Sequence, residues 1–171
     1  MDVEQIRIAT SDDAPALLAL INGAFSVERF FVDRERTTRE ELDSYFGRGT
    51  FFLLDGNDGS LAASLYFEWR GDRAYVGMLA VHPDLQGRGI GRQMMAAAEE
   101  HARELGCRGV DIRVVNLREE LPPFYRSLGY VETGRSEPVD DPGASKPYHF
   151  ILMSKELVEW KAKASAERSH G

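Results

Sequence analysis

Cysteine is nearly absent from this chain: Cys107 stands alone among 171 residues. That excludes an intrachain disulfide and a thiolate-rich metal site. No apolar run approaches the roughly 20 residues of a membrane-spanning helix, so no membrane partner is expected. The first residues lack the basic and apolar regions of a signal peptide, which makes a cytoplasmic address the default expectation. Histidine is scarce, at four residues. His101 has no second His or Cys at metal-ligand spacing, so it reads as a packed or rim residue and no metal is expected. Basic residues are outnumbered 21 to 28, a net charge of -7. That balance argues against broad nucleic-acid binding and agrees with a cationic partner such as an amine, or simply with solubility. Internal repeats and low-complexity segments are also missing. What remains, 43% hydrophobic and 29% charged, is ordinary for one globular domain with its own core.

The chain alternates apolar and polar residues from Val3 to Ala9, which predicts an opening strand. Thr10-Ser11-Asp12-Asp13 supplies a cap for a helix whose Ala14, Leu17, Leu18, Ile21 and Phe25 recur at helical spacing. Thr38-Arg39-Glu40-Glu41 is a second capping box, opening a short helix through Phe46. The mixed segment between them carries Phe30-Phe31, which either anchors a loop or shapes a pocket. Thr50 to Leu54 and Leu61 to Trp69 read as strands joined by the turn Asp55-Gly56-Asn57-Asp58-Gly59. After Arg70-Gly71-Asp72-Arg73 comes a strand from Tyr75 to Val81. The following helix places Met94, Ala98, His101/Ala102 and Leu105 on one side, with Glu99 and Arg103 expected outside as an i,i+4 pair. Further strands are predicted over Gly109 to Val115, from Tyr130 onward, and over Tyr148 to Ser154. Pro122-Pro123 sits at the start of a short helix closed by Gly129. The tail from Lys155 to Gly171 is polar, with a helical segment expected around Leu157, Val158 and Trp160.

Between the strand ending at Val81 and the next helix lies Gln86-Gly87-Arg88-Gly89-Ile90-Gly91. A glycine-rich loop there presents backbone N–H groups at the positive end of the helix dipole, and no Cβ obstructs a phosphate. The P-loop does not fit, because Arg92 and Gln93 follow Gly91 in place of Lys-Ser/Thr. The dinucleotide fingerprint fails on glycine spacing. Gln86-x-x-Gly89-x-Gly91, after Leu79-Ala80-Val81 and His82-Pro83, resembles the acetyl-CoA signature of the GNAT superfamily of N-acetyltransferases. Asn116 followed by Tyr125-x-x-x-Gly129-Tyr130 is similar to that superfamily's second motif. The interval between Asn116 and Tyr125 is longer than the family's, with Pro122-Pro123 inside it.

The resemblance implies an α/β fold, the GNAT fold, with a mixed, mostly antiparallel central sheet of about seven strands flanked by about four helices. It covers one domain, residues 1–154, followed by the tail 155–171. It implies acetyl-CoA as cosubstrate. Main-chain groups of Leu79, Ala80 and Val81 would hold the pantetheine, and Gln86, Gly87, Arg88, Gly89, Ile90 and Gly91 the pyrophosphate. Asn116 would bind cofactor and Tyr125 would protonate the CoA sulfur. For the base, Asp111 matches a catalytic Glu of some protein N-terminal acetyltransferases, Glu68 competes with it, and a water chain is the third option. Cys107 lies in neither motif. The expected activity is acetyl transfer to a primary amine, with a small cationic metabolite favoured over protein N-termini or lysines. A non-catalytic CoA-binding sensor or interaction module is the reading from another class, and a nucleotide hydrolase is a distant third. Membership also makes a homodimer an expectation.

Overall fold

A computed structural model describes residues 6–157. The elements are β1 (Ile6–Ile8), α1 (Ala14–Ala24), α2 (Arg39–Arg48), β2 (Thr50–Asp55), β3 (Leu61–Arg70), β4 (Arg73–Val81), α3 (Ile90–Glu104), β5 (Gly109–Val115), α4 (Leu121–Ser127), β6 (Val131–Arg135) and β7 (Phe150–Glu156). The strands form one seven-stranded sheet in the order β1-β2-β3-β4-β5-β7-β6. Every neighbouring pair is antiparallel except β4 with β5. This is the α/β architecture expected from the sequence. Among the described residues no helix is long and apolar enough to cross a membrane.

Local chemistry accounts for the turns and helix starts. Gly59 takes a left-handed conformation at φ 86° between β2 and β3, and the Asp58 carboxylate accepts the Ser60 N–H at 3.1 Å. Gly71, at φ 73°, turns β3 into β4. The Thr38 hydroxyl accepts the Glu41 N–H at 3.2 Å and starts α2, as the capping pattern predicts.

The sheet is covered on both faces, which explains why β2 reads as an unbroken apolar run and not as an alternation. Phe51 and Leu53 face a core built with Leu17, Ile21 and Leu42 of α1 and α2. Phe52 and Leu54 face the opposite core, built with Met94, Met95 and Ala98 of α3. His101 packs edge-on against Phe67 and Phe52, ring centroids 4.8 and 5.4 Å away.

Two details differ from the pattern of letters. Glu99 is buried, 6% exposed, whereas helical periodicity placed it outside. Its carboxylate accepts the Tyr130 hydroxyl at 3.0 Å and the Lys155 ammonium at 2.7 Å. Partners remote in sequence make this burial tolerable, and spacing along one helix cannot reveal them. Accordingly β7 runs to Glu156, so Lys155 belongs to the sheet. Leu157 is also buried, while the rest of the predicted tail helix, and Val3 to Gln5 of the opening strand, lie outside the described residues.

Removing the buried carboxylate strands Lys155 and Tyr130 without their acceptor. Glu99→Ala is therefore expected to cost about 3–5 kcal/mol, measured as a lower urea midpoint at unchanged m-value.

Candidate active site

The site begins where two parallel strands separate. β4 and β5 pair only through Arg73, Ala74 and Tyr75, opposite Gly109, Val110 and Asp111. On its other edge β4 carries a bulge: Tyr66 pairs with Gly77 and Ser64 with Ala80, so the single residue Leu65 faces both Met78 and Leu79. Met78 sits at φ 50°, a left-handed conformation costing on the order of 1–2 kcal/mol for a residue with a Cβ. A bulge bends its strand and re-aims main-chain groups. Here it carries the end of β4 away from β5 and leaves that edge of Val76 to Val81 without a strand partner among the described residues.

At the end of β4 the chain enters the glycine-rich loop. Gly87 and Gly89 have φ of 81° and 80°, and a Cβ at either would meet nothing within 4 Å. The loop backbone is thus open at the N-terminus of α3. Gly91 is held close for another reason, since a Cβ there would come within 3.3 Å of the Phe124 ring. Leu79, Val81, Gln86, Gly87, Gly89, Ile90 and Gly91 line a depression of about 440 Å³ with Arg92, Arg118 and Phe124. The Ala80 side chain instead enters the core beneath α1. Arg88 faces a neighbouring hollow beside Asp58, His82 and Gln93. The cations turned toward the loop depression are Arg92 and Arg118. His82 is a turn residue whose Nδ1 accepts the Asp84 N–H at 3.1 Å.

The depression continues inward past Phe25, Leu79, Arg118 and Phe124 into the gap between β4 and β5. Tyr125 projects there from α4, buried among apolar side chains and 9% exposed. Burial pushes its hydroxyl up to about 12. Two segments distant in sequence roof this gap. Phe31 O accepts the Ser145 N–H at 2.7 Å, and Arg34 holds Asp141 through two contacts of 2.7 Å. Tyr148 donates to the same carboxylate at 2.7 Å. Phe31 is buried and lines the gap, whereas Phe30 is half exposed at the surface. Beneath the roof, Arg118 pairs with Glu28 at 3.1 Å. Burial raises Glu28 above the usual carboxylate range despite that arginine.

Beyond the gap the passage opens on the other side of the sheet through Arg36, Tyr45, Tyr75, Met78, Ile112 and Arg113. This second mouth, about 510 Å³, holds Glu68 and Asp111. Glu68 has one charged partner, Arg70 at 2.8 Å. Asp111 is bound on both oxygens: Arg73 donates to each at 2.8 Å, and Ser154 Oγ adds a bond of 2.6 Å. The arginine holds this carboxylate below its ordinary range.

Asn116 receives a task the resemblance did not imply. Its carboxamide oxygen accepts the His149 N–H at 2.8 Å, and its own N–H donates to His149 O at 3.0 Å. It fastens the end of β5 to the start of β7 and is not among the residues lining the passage. Sequence reasoning did not single out Met78, Arg118 or the arginines of the second mouth. Their signal lies in the bulge and in cross-chain pairing, and no local motif carries either.

The raised Tyr125 hydroxyl stays protonated through neutral and moderately alkaline pH. In ultraviolet titration, subtracting Tyr125→Phe from the parent is expected to show no phenolate at the ordinary tyrosine value of 10, with ionisation appearing only toward about 12.

Known proteins share this fold. The chain shares 32% identity over 106 residues with streptothricin acetyltransferase of Streptomyces lavendulae, covering 60% of this chain and 56% of that protein. It shares 36% over 128 residues with mycothiol acetyltransferase of Propionibacterium freudenreichii, covering 70% and 40%. It therefore spans about half the length of the curated relatives it matches. The ribosomal-protein-S18-alanine N-acetyltransferase of Escherichia coli has the same fold, with a TM-score of 0.74 at 23% identity over 89% of this chain and 92% of that one. The sequence model of the Acetyltransferase (GNAT) family matches residues 15–130, and the chain belongs to that family.

Proposed function

We propose that this domain transfers the acetyl group of acetyl-CoA directly to a primary amine, the two substrates entering from opposite mouths of the passage through the sheet. The observation that carries the reading is Tyr125. Its protonated hydroxyl has no hydrogen-bond partner among the described residues, and Tyr125 lines the gap that joins the glycine-loop depression to the mouth holding Glu68.

The residues present fit acetyl-CoA. The open amides around Gly87 and Gly89, at the N-terminus of α3, suit a pyrophosphate, and Arg92 adds positive charge beside it, whereas Arg118 is already paired with Glu28 and Glu120. The unpaired edge of Leu79 to Val81 suits the amide groups of a pantetheine arm. Acetyl-CoA, when bound, supplies an activated acyl carbon and a thiolate leaving group. Main-chain N–H groups along the freed edge of β4 would donate to an acyl oxygen as negative charge develops there. Tyr125 holds its proton for the departing sulfur, and its raised pKa keeps that proton in place across the physiological range.

An alkylammonium of pKa about 10 must lose a proton before it can attack. Glu68 suits that step, directly or through water, better than Asp111. Both Asp111 oxygens are engaged and its pKa is lowered, so it is a weak base; it supports Arg73 and the first rungs of the β4–β5 ladder. Cys107 is fully buried in the core and takes no part. The second mouth has the size of a small-molecule site, which favours a metabolite over a folded protein surface. The negative charge that suggested a cationic metabolite is a property of the whole chain. The mouth itself carries four arginines, Arg36, Arg48, Arg70 and Arg113, against Glu68 and Asp111.

Release of free CoA thiol from acetyl-CoA across a panel of primary amines tests the reading. Amine-dependent release is expected. Tyr125→Phe should lower kcat about 100-fold, with CoA binding retained by calorimetry. Tight CoA binding without turnover of any amine would favour the sensor or interaction module. Undiminished turnover in the variant would remove Tyr125 from its role. Glu68→Gln should lower kcat about 100-fold as well, with recovery toward high pH as more of the amine loses its proton unaided.

A further inference from the structure

The second mouth contains charge without counter-charge. Arg70 is matched by Glu68, and Asp111 is matched by Arg73. Three guanidinium groups are left over. Among the described residues no carboxylate oxygen lies within 4.0 Å of Arg36, Arg48 or Arg113; Glu28, which is paired with Arg118, acts on Arg36 only from farther away. Each is instead laid over an aromatic ring: Arg36 over Phe25 at 5.3 Å, Arg48 over Tyr45 at 4.9 Å and Arg113 over Phe150 at 4.5 Å. Contact with a ring does not neutralise a guanidinium, which keeps its charge and the fork of N–H donors that matches a carboxylate. Arg48 makes one long bond to the Ser44 carbonyl of its own helix, at 3.4 Å.

The placement distinguishes these cations from those near the glycine loop. Arg36, Arg48 and Arg113 all line the mouth that holds Glu68, while Arg92 and Arg118 line the loop depression. In a chain of net charge -7, uncompensated arginines gathered at one mouth repel a polyamine and attract an anion. An acceptor must still present an amine, for which Glu68 is the available carboxylate.

We propose that the acceptor is a small amino acid: a primary amine held toward Glu68 and a carboxylate held by Arg36, Arg48 and Arg113. This deepens the acetyl-transfer reading and rests on it. It also replaces the cationic acceptor suggested by net charge, because the field at the mouth has the opposite sign to the total.

The test is a set of matched acceptors assayed with acetyl-CoA: the common amino acids, each beside its amide and its decarboxylated amine. The amide removes the negative charge and makes the amine less basic, whereas decarboxylation removes it and makes the amine more basic, so the two counterparts bracket the amino acid and each kcat/KM is referred to the unprotonated amine. For the best-used amino acid, kcat/KM is expected to exceed that of both counterparts by about tenfold or more, the scale of one charge-assisted contact. In Arg48→Gln and Arg113→Gln that preference ratio should fall about tenfold, with Arg→Lys restoring part of it, since charge returns without the fork. The ratio compares two substrates in one protein, so a partly unfolded variant does not mimic the result. Equal or better use of the uncharged or decarboxylated members, or of spermidine, would overturn the inference and leave acetyl transfer standing. Preference for a peptide N-terminus followed by an acidic residue over every free amino acid would overturn the small-acceptor assignment. No transfer to any member would overturn both readings.

Discussion

The site depends on a short parallel ladder. β4 and β5 hold each other through three pairs, the last of them Tyr75 with Asp111, and the bulge at Met78 then takes β4 away. If the ladder ran on, hydrogen bonds would close the sheet and no passage would cross it. If it were shorter, nothing would fix the separation. Arg73 and Asp111 clamp this last paired stretch, and Ser154 and Glu156 of β7 join the same network. The conformational cost at Met78 is sustained because the strand is held on both sides of the kink, by Gly77 opposite Tyr66 and Ala80 opposite Ser64.

Charge in this domain sorts into two kinds. Pairs that close on themselves do architectural work: Glu99 with Lys155, Asp141 with Arg34, Glu28 with Arg118. They tie α3 to β7, the two roof segments to each other, and the roof to the end of β5. Groups left without a counter-charge gather along the passage. Net charge, a sum over both kinds, therefore says little about what a mouth attracts. The sign at the site is set by which arginines lack partners, and pairing is a property of the fold.

That distinction also explains what was legible beforehand. The order of strands and helices was readable because capping boxes, turn glycines and helical spacing are local. The glycine-rich loop was readable for the same reason: a left-handed backbone and an open approach are demands that only glycine meets, within a few residues. Asn116 and Asp111 occupied motif positions, yet what each does depends on His149 and on Arg73, which adjoin them only after the sheet has formed. Glu99 shows the limit most plainly. Its place in the helix pattern predicted exposure, and Tyr130 and Lys155 overrode it. The bulge at Met78 left no mark in an otherwise regular strand sequence, although it shapes the passage more than any single side chain.

The claim that main-chain groups along the freed edge of β4 and in the glycine loop form the cofactor cradle is tested most directly by amide hydrogen exchange with and without acetyl-CoA. The account predicts slowed exchange at Leu79 to Val81 and Gln86 to Gly91, with β6 and the β2–β3 turn unchanged. Binding without protection of those amides, or protection confined to the arginine-lined mouth, would contradict it.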